Sequence, residues 1–350
     1  ARVARRLTNS NFIGTVAGLL LALDGLHIAM SRTALLDTSL SFFVLAAFGF
    51  LIIDRDIANS GGPKIWRWAM VIALGLACGT KWSGVYFAAA FGLLMLVWDY
   101  ERRSKRLEGL SIWFVKDFLP ALLMPFVISA IYISSWVGWF RSPGGWNRNW
   151  AQENDVTSWV PDALVSLFHY HKDMLSFHTN LVTPHSYSAN PWSWPLMIRP
   201  TSFYYETDPT CGADKCSQEV IPLGNPLIWW AGVIALVIII YFAVARRHSA
   251  ALPIAVAFAA GWVPWLFFPE RTTFSFYSVA FIPYTVMALA LVLYLANERV
   301  QSDKPFAWRW PTLSFLIVTA VLTAFFYPIL TGHSISYEMW QLRMWLPSWV

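Results

Sequence analysis

Nine apolar runs dominate this 350-residue chain, most of them near the ~20 residues needed to cross a hydrocarbon core. They lie at 12–30, 38–53, 68–80, 82–98, 118–136, 226–245, 251–268, 274–296 and 312–330. In lipid the backbone must satisfy its own hydrogen bonds, so runs of this length predict membrane-spanning helices. Composition agrees: 57% of residues are hydrophobic and 13% charged, where soluble domains have about 45–50% and about 25%. A soluble fold is excluded, and an all-α polytopic membrane protein is expected. Two runs are short, and 68–98 reads either as one tilted helix or as a hairpin turning near Lys81.

Charge decides between these options. With nine spans, the connectors on one side hold sixteen of the 25 Lys and Arg. These are Arg2, Arg5 and Arg6; Arg55, Lys64 and Arg67; the ERRSKR cluster at 101–106 with Lys116; Arg246 and Arg247; and Arg299, Lys304 and Arg309. Short cytoplasmic connectors retain positive charge, and eight spans would put 101–106 on the wrong side. The hairpin therefore wins. The expected organisation is a five-span bundle at 1–136, an extracytoplasmic loop with short helices and ordered turns at 137–225, a four-span bundle at 226–330, and an extracytoplasmic tail at 331–350. The net charge of +5 reports this topology, and no nucleic-acid partner is expected.

The chain begins at Ala1 rather than Met, with no signal-peptide cleavage pattern before its first apolar run; a natural start upstream is expected. Cys78 lies inside an apolar run and reads as a small core residue. Cys211 and Cys216, in CGADKC, form a local disulfide if the loop faces an oxidising compartment, and otherwise remain free thiols. Trp139, Trp146, Trp150 and Trp159 suit the headgroup region, where aromatic residues gather.

Ionisable residues at the membrane are costly and mark function. Here Asp24, Arg32, Asp37, Lys81, Glu270 and Arg271 converge on the outward ends of the spans. Arg32, Lys81 and Arg271 supply cations at the depth of a lipid phosphate, for which the arginine fork and the lysine point charge are both suited. Each has a plainer reading: Arg32 pairing with Asp37 to close a turn, Lys81 snorkelling to headgroups, Glu270–Arg271 as a polar loop. His171, His178 and His185 recur every seven residues, about 10 Å apart on one helix. That is too far for one ion, so no metal site is expected; whether a divalent cation assists a phosphate stays open.

Three stretches carry a family resemblance: SRTALLD (31–37), GLACGTKWSG (75–84) and HSYSANPWSWPLMIRP (185–200), with PERTTFSFY (269–277) fitting more loosely. In this order they resemble the protein O-mannosyltransferase family. The resemblance implies a GT-C glycosyltransferase-type helical bundle with one long outer loop. It implies transfer of mannose, with inversion, from a polyprenyl-phosphate mannose donor to Ser/Thr hydroxyls of exported polypeptides, and a possible partnership with the export machinery. The length of 137–225 is too short for the β-trefoil insertion of eukaryotic members, pointing to a bacterial, actinobacterial-like cell-membrane form. Arg32, Lys81 and Arg271 would bind the donor phosphate with Asp37 in support. His185, Trp192, Trp194 and Arg199 would form a lid or acceptor floor, with Trp194 alternatively buttressing the loop. The family's general base, an acidic pair in the first outer loop, would precede Ala1. Another GT-C enzyme with a lipid-phosphate-sugar donor is the nearest rival. A transporter or flippase is the more distant one, because its ionisable groups belong near the bilayer midplane.

Overall fold

Apolar helices separated by capped turns account for most of the chain in a computed structural model describing residues 1–207, 210–298 and 309–350. Arg299 and Lys304 of the charge pattern lie outside the described residues. The first half contains α1 (Arg2–Thr8), α2 (Asn11–Ala22), α3 (Gly25–Met30), α4 (Leu36–Asn59), α5 (Trp66–Thr80), α6 (Gly84–Lys105) and α7 (Leu110–Ser134). The loop holds α8 (Val137–Arg141), α9 (Trp150–Glu153), α10 (Asp162–Thr179), β1 (Tyr204–Glu206) and β2 (Cys216–Val220). Then come α11 (Pro226–Ala245), α12 (Ala251–Trp262), α13 (Ile282–Glu298), α14 (Arg309–Thr331), β3 (Ile335–Ser336) and α15 (Tyr337–Gln341).

Among the described residues α4, α7, α11 and α14 are long and apolar enough to cross a membrane, and α2, α5, Ala251–Phe267 and Ile282–Ala296 are shorter apolar helices. The core is built from Leu20, Phe48, Phe87, Phe91 and Tyr284, all essentially buried, with Phe48 and Tyr284 meeting edge to face at 5.2 Å. Helix α7 instead leaves Leu122, Leu123 and Phe126 exposed, as a lipid-facing helix does.

The hairpin at Lys81 forms as the charge pattern requires, but the run 12–30 is not one helix. It breaks at Leu23–Asp24, where the Asp24 carboxylate caps α3 by accepting from His27 N at 3.1 Å. The same fully buried carboxylate accepts from Trp229 Nε1 at 2.7 Å and Asn225 N at 3.1 Å. Asn225 in turn caps α11 and donates to Thr319 O and Thr323 Oγ1 on α14, while Thr323 donates to Leu23 O at 2.6 Å. The Asp24 carboxylate, extended through Asn225 and Thr323, thus ties α2, α3, α11 and α14 together. The run 274–296 also departs from a single helix, because Ser275–Ala280 is a tight three-residue-per-turn segment before α13 begins.

At the other end of α4 a second polar cluster lies about 25 Å from Asp37, counting 1.5 Å per residue. Buried Arg67 donates to Asp54 at 2.9 Å and to Asp99 at 3.0 Å. Lys64 pairs with Asp99 at 3.3 Å and also with Asp117, while Arg102 pairs with Asp99. Arg103 joins Asp117 at 2.7 Å and Glu108. Cations read from the sequence as topology markers are therefore committed to a network joining α4, α5, α6 and α7, as buried charge requires.

The loop is more ordered than short helices and turns. It carries the 18-residue α10 and a three-stranded antiparallel sheet in the order β1-β2-β3, with Tyr204 opposite Val220 and Cys216 opposite Ser336. Its third strand comes from the C-terminal segment. Cys211 and Cys216 form a disulfide across the β1–β2 connection.

Replacing Asp24 by Ala leaves two buried N–H donors without their acceptor, at about 1–3 kcal/mol each. Thermal unfolding in detergent should show a Tm drop of several degrees for Asp24→Ala and a smaller one for Asp24→Asn, which keeps an acceptor oxygen. An unchanged Tm in Asp24→Ala would show that this hub does not hold the helices.

Candidate functional site

The α5–α6 turn presents the first functional side chain. Helix α5 ends when Lys81 turns extended, and Gly84 N closes the turn on Lys81 O at 2.9 Å. A Cβ on Gly84 would lie 2.8 Å from the backbone of Ala77 and Cys78, and one on Gly75 would lie 2.8 Å from Ile131 on α7. The glycines of GLACGTKWSG thus let the hairpin close and α7 approach. Lys81 Nζ is then fixed 2.6 Å from Asp37 Oδ1 and 3.6 Å above the centre of the Tyr277 ring. Burial pushes the ammonium below the ordinary lysine range, and the Asp37 charge opposes that shift.

Lys81 and Asp37 line an open cavity with Ser83, Tyr86, Trp265 and Tyr277 over an apolar floor that includes Leu40 and Gly261. Arg271 adds a second cation. Its guanidinium lies 5.4 Å from the centre of the Trp265 ring, and its charge acts on Lys81, Tyr86 and Tyr277. Nε donates to His178 O at 2.9 Å, while Nη1 is buried without a protein acceptor. The segment around Arg271 is stapled to the loop: Thr272 N donates to Leu181 O at 2.9 Å, and Ala189 N to Thr273 O at 2.8 Å.

Helix α10 brings His178 to this site. It is anchored one end back by His171, whose Nε2 lies 2.7 Å from Tyr132 Oη on α7, an oxygen that also accepts from Trp82 Nε1 at 3.0 Å. His178 is exposed, yet the desolvation it does suffer, and then the charges of Arg271 and Lys81, hold its imidazole below the ordinary titration range.

Other predicted residues are placed differently. Arg32 does not pair with Asp37, which is taken by Lys81; it is exposed and donates to Tyr327 Oη on α14 at 3.0 Å. Glu270 is exposed. His185 is exposed, with its ring 5.1 Å from Phe274, and Trp192 is 56% exposed. Trp194, by contrast, is buried, donates to Ala189 O at 3.0 Å, and packs on Trp265 and Tyr277. It buttresses the cavity wall and has no face open to a ligand. Arg199 spends its donors on Ser186 O, Ser348 O and Val350 O, tying the loop to the C-terminal segment. The sequence reading missed Tyr86, Trp265, Tyr277 and His178. Of these only Tyr277 stood in a stretch it singled out for this site.

Two family profiles match. Residues 1–135 match the dolichyl-phosphate-mannose-protein mannosyltransferase profile, and residues 163–349 match the C-terminal four-transmembrane region of protein O-mannosyltransferase. The polyprenol-phosphate-mannose–protein mannosyltransferase of Mycobacterium tuberculosis H37Rv is 34% identical, covering 99% of this chain and 73% of the relative. The chain belongs to the protein O-mannosyltransferase family. Its relatives of the same name include those of Mycolicibacterium smegmatis mc(2)155, 35% identical over 99% of this chain and 74% of the relative, and of Corynebacterium glutamicum, 30% identical over 99% and 73%. The fold is that of the yeast protein O-mannosyltransferase Pmt1–Pmt2 complex bound to the sugar donor, a GT-C architecture. The match has a TM-score of 0.81 at 14% identity, covering 99% of this chain and 78% of that one. In this mannosyltransferase-family chain, Lys81 and, from the PERTTFSFY stretch, Tyr277 meet at one cavity, whereas SRTALLD divides: Asp37 enters it and Arg32 turns to α14.

Removing Lys81 alone strands the Asp37 carboxylate, which is 5% exposed, and a stranded buried charge costs about 3 kcal/mol. Lys81→Ala should lower the unfolding temperature clearly, and Lys81→Ala with Asp37→Ala should recover most of the loss. Additive losses in the double variant would contradict a coupled pair.

Proposed function

We propose that this protein transfers mannose from polyprenyl-phosphate mannose to Ser or Thr hydroxyls of a polypeptide, at the extracytoplasmic end of the bundle. The observation that carries the reading is Lys81 lining one aromatic-walled cavity while Arg271, packed behind its Trp265 wall, bears on Lys81 electrostatically and keeps Nη1 without a hydrogen-bond partner. The donor's isoprenoid tail stays in lipid, so its phosphate must be met where bundle and headgroups adjoin. As the bond from mannose C1 to the phosphate oxygen breaks, negative charge grows on the phosphate. Cations already in place stabilise that charge without reorganising. Asp37 holds the ammonium on station, and the carbonyl of His178 does the same for the guanidinium.

Trp265 and Tyr86 line the cavity with aromatic surface for a sugar ring, while the Tyr277 ring is already covered by Lys81. The acceptor enters from the loop side, where His185 and Trp192 are exposed. Arg32, bound to Tyr327, serves the rim rather than the centre. Asp37 is committed to Lys81, and the acceptor's proton is assigned to no carboxylate among the described residues.

Protein purified into nanodiscs should move radiolabelled mannose from the lipid donor to a Ser/Thr-rich peptide. Arg271→Ala should lower kcat/KM about 100-fold, the scale of losing one preorganised charge donor, and Arg32→Ala should lower it less. Wild-type turnover in Arg271→Ala removes the phosphate seat from this cavity.

A further inference from the structure

Transfer changes the charge on the lipid phosphate, and the site holds a group matched to that change. The donor is a phosphodiester with one negative charge; the product is a monoester that can carry two. The bond from C1 to the phosphate oxygen breaks, a bond from C1 to the acceptor oxygen forms, and the acceptor hydroxyl loses one proton. One proton and one unit of phosphate charge therefore appear together.

We propose that His178 takes up a proton as the lipid monophosphate forms, giving the site a third cation for the product that the donor does not need; this rests on the mannosyl-transfer reading above. Three observations point to the imidazole. Its own main-chain carbonyl accepts from Arg271 Nε at 2.9 Å, so the backbone that carries the ring is held beside the guanidinium. It packs beside Trp82, ring centres 6.5 Å apart, on the turn that carries Lys81. The charges of both Lys81 and Arg271 reach it.

The groups facing it from each side are accounted for. From the α5–α6 turn comes Lys81, and from the segment before α13 comes Arg271. Asp37 on α4 is paired with Lys81, and Tyr86 and Tyr277 line the cavity beyond. On its own helix His171 is bonded to Tyr132, and Asp173 pairs with His169 at 3.1 Å. Desolvation and the charges of Arg271 and Lys81 hold the His178 imidazole toward its neutral form in the empty site, with Glu270, next to Arg271, exposed to solvent. A dianion reverses the local field and raises its proton affinity. The extra affinity is present below the titration point of the product-bound imidazole and is lost as pH rises through it.

The test compares binding of polyprenyl phosphate and of polyprenyl-phosphate mannose to wild type and His178→Gln, at about pH 6 and about pH 8, around the histidine range. Gln keeps the carbonyl that holds Arg271. At the lower pH wild type should bind the monophosphate about tenfold more tightly than the variant, equivalent to a one-unit pKa change, and the gap should close at the higher pH. Donor affinity should differ little at either. Calorimetry of wild type alone, in buffers of different ionisation enthalpy, should show proton uptake on binding the monophosphate. Parallel pH curves for the two proteins, or no proton uptake by wild type, would overturn the role of His178 while donor binding stands. Absence of donor binding in both proteins would instead remove the site itself.

Discussion

A lysine ammonium held against a buried aspartate at the turn of a helical hairpin is the constraint on which the rest of this site depends. Moving either charge out of water costs several kcal/mol, and only a close, well-oriented partner offsets it. At 2.6 Å, Lys81 and Asp37 fix the start of α4 against the α5–α6 turn. The ring of Tyr277, 3.6 Å below the ammonium, adds the approach to α13. Three separate stretches of sequence are thereby locked around one cavity before any ligand arrives. Such preorganisation is what a site for a developing phosphate charge requires.

The bundle is clamped at both ends. Opposite the cavity, Arg67, Asp54, Asp99, Asp117 and Lys64 tie α4 through α7 into one network. On the other side, Asp24 joins α2, α3, α11 and α14. The site's second cation is delivered differently: Arg271 sits on a segment hydrogen-bonded to the loop through Leu181, Thr183 and Ala189. Positioning of one of the two cations proposed to meet the phosphate thus rests on spans, and of the other on the loop's fold.

Sequence made the helices legible because lipid tolerates few alternatives: apolar length and connector charge suffice to place a hairpin at Lys81. Both cavity cations were also visible, since a charge beside apolar runs stands out. Partner choice was not. Arg32 and Asp37 lie five residues apart and look like a pair, but Asp37 enters the bundle at the start of α4 and meets Lys81 from another hairpin. The buried acids Asp54, Asp99 and Asp117 were hidden because each sits near basic connectors whose topology signal masks ion pairing. His178 escaped notice as a neighbour of Arg271 because a heptad of histidines draws attention to metals, whereas its proposed role depends on a carbonyl bonded to a residue 93 positions away. The strands were invisible because β3 comes from the far end of the chain.

The most direct measurement is a cryo-electron microscopy structure with polyprenyl phosphate bound. This account predicts the phosphate within hydrogen-bond reach, about 3 Å, of Lys81 Nζ and Arg271 Nη1, with Trp265 and Tyr277 flanking the space beyond. A phosphate seated instead beside Arg32 and Tyr327, with the Lys81 cavity empty, would contradict it.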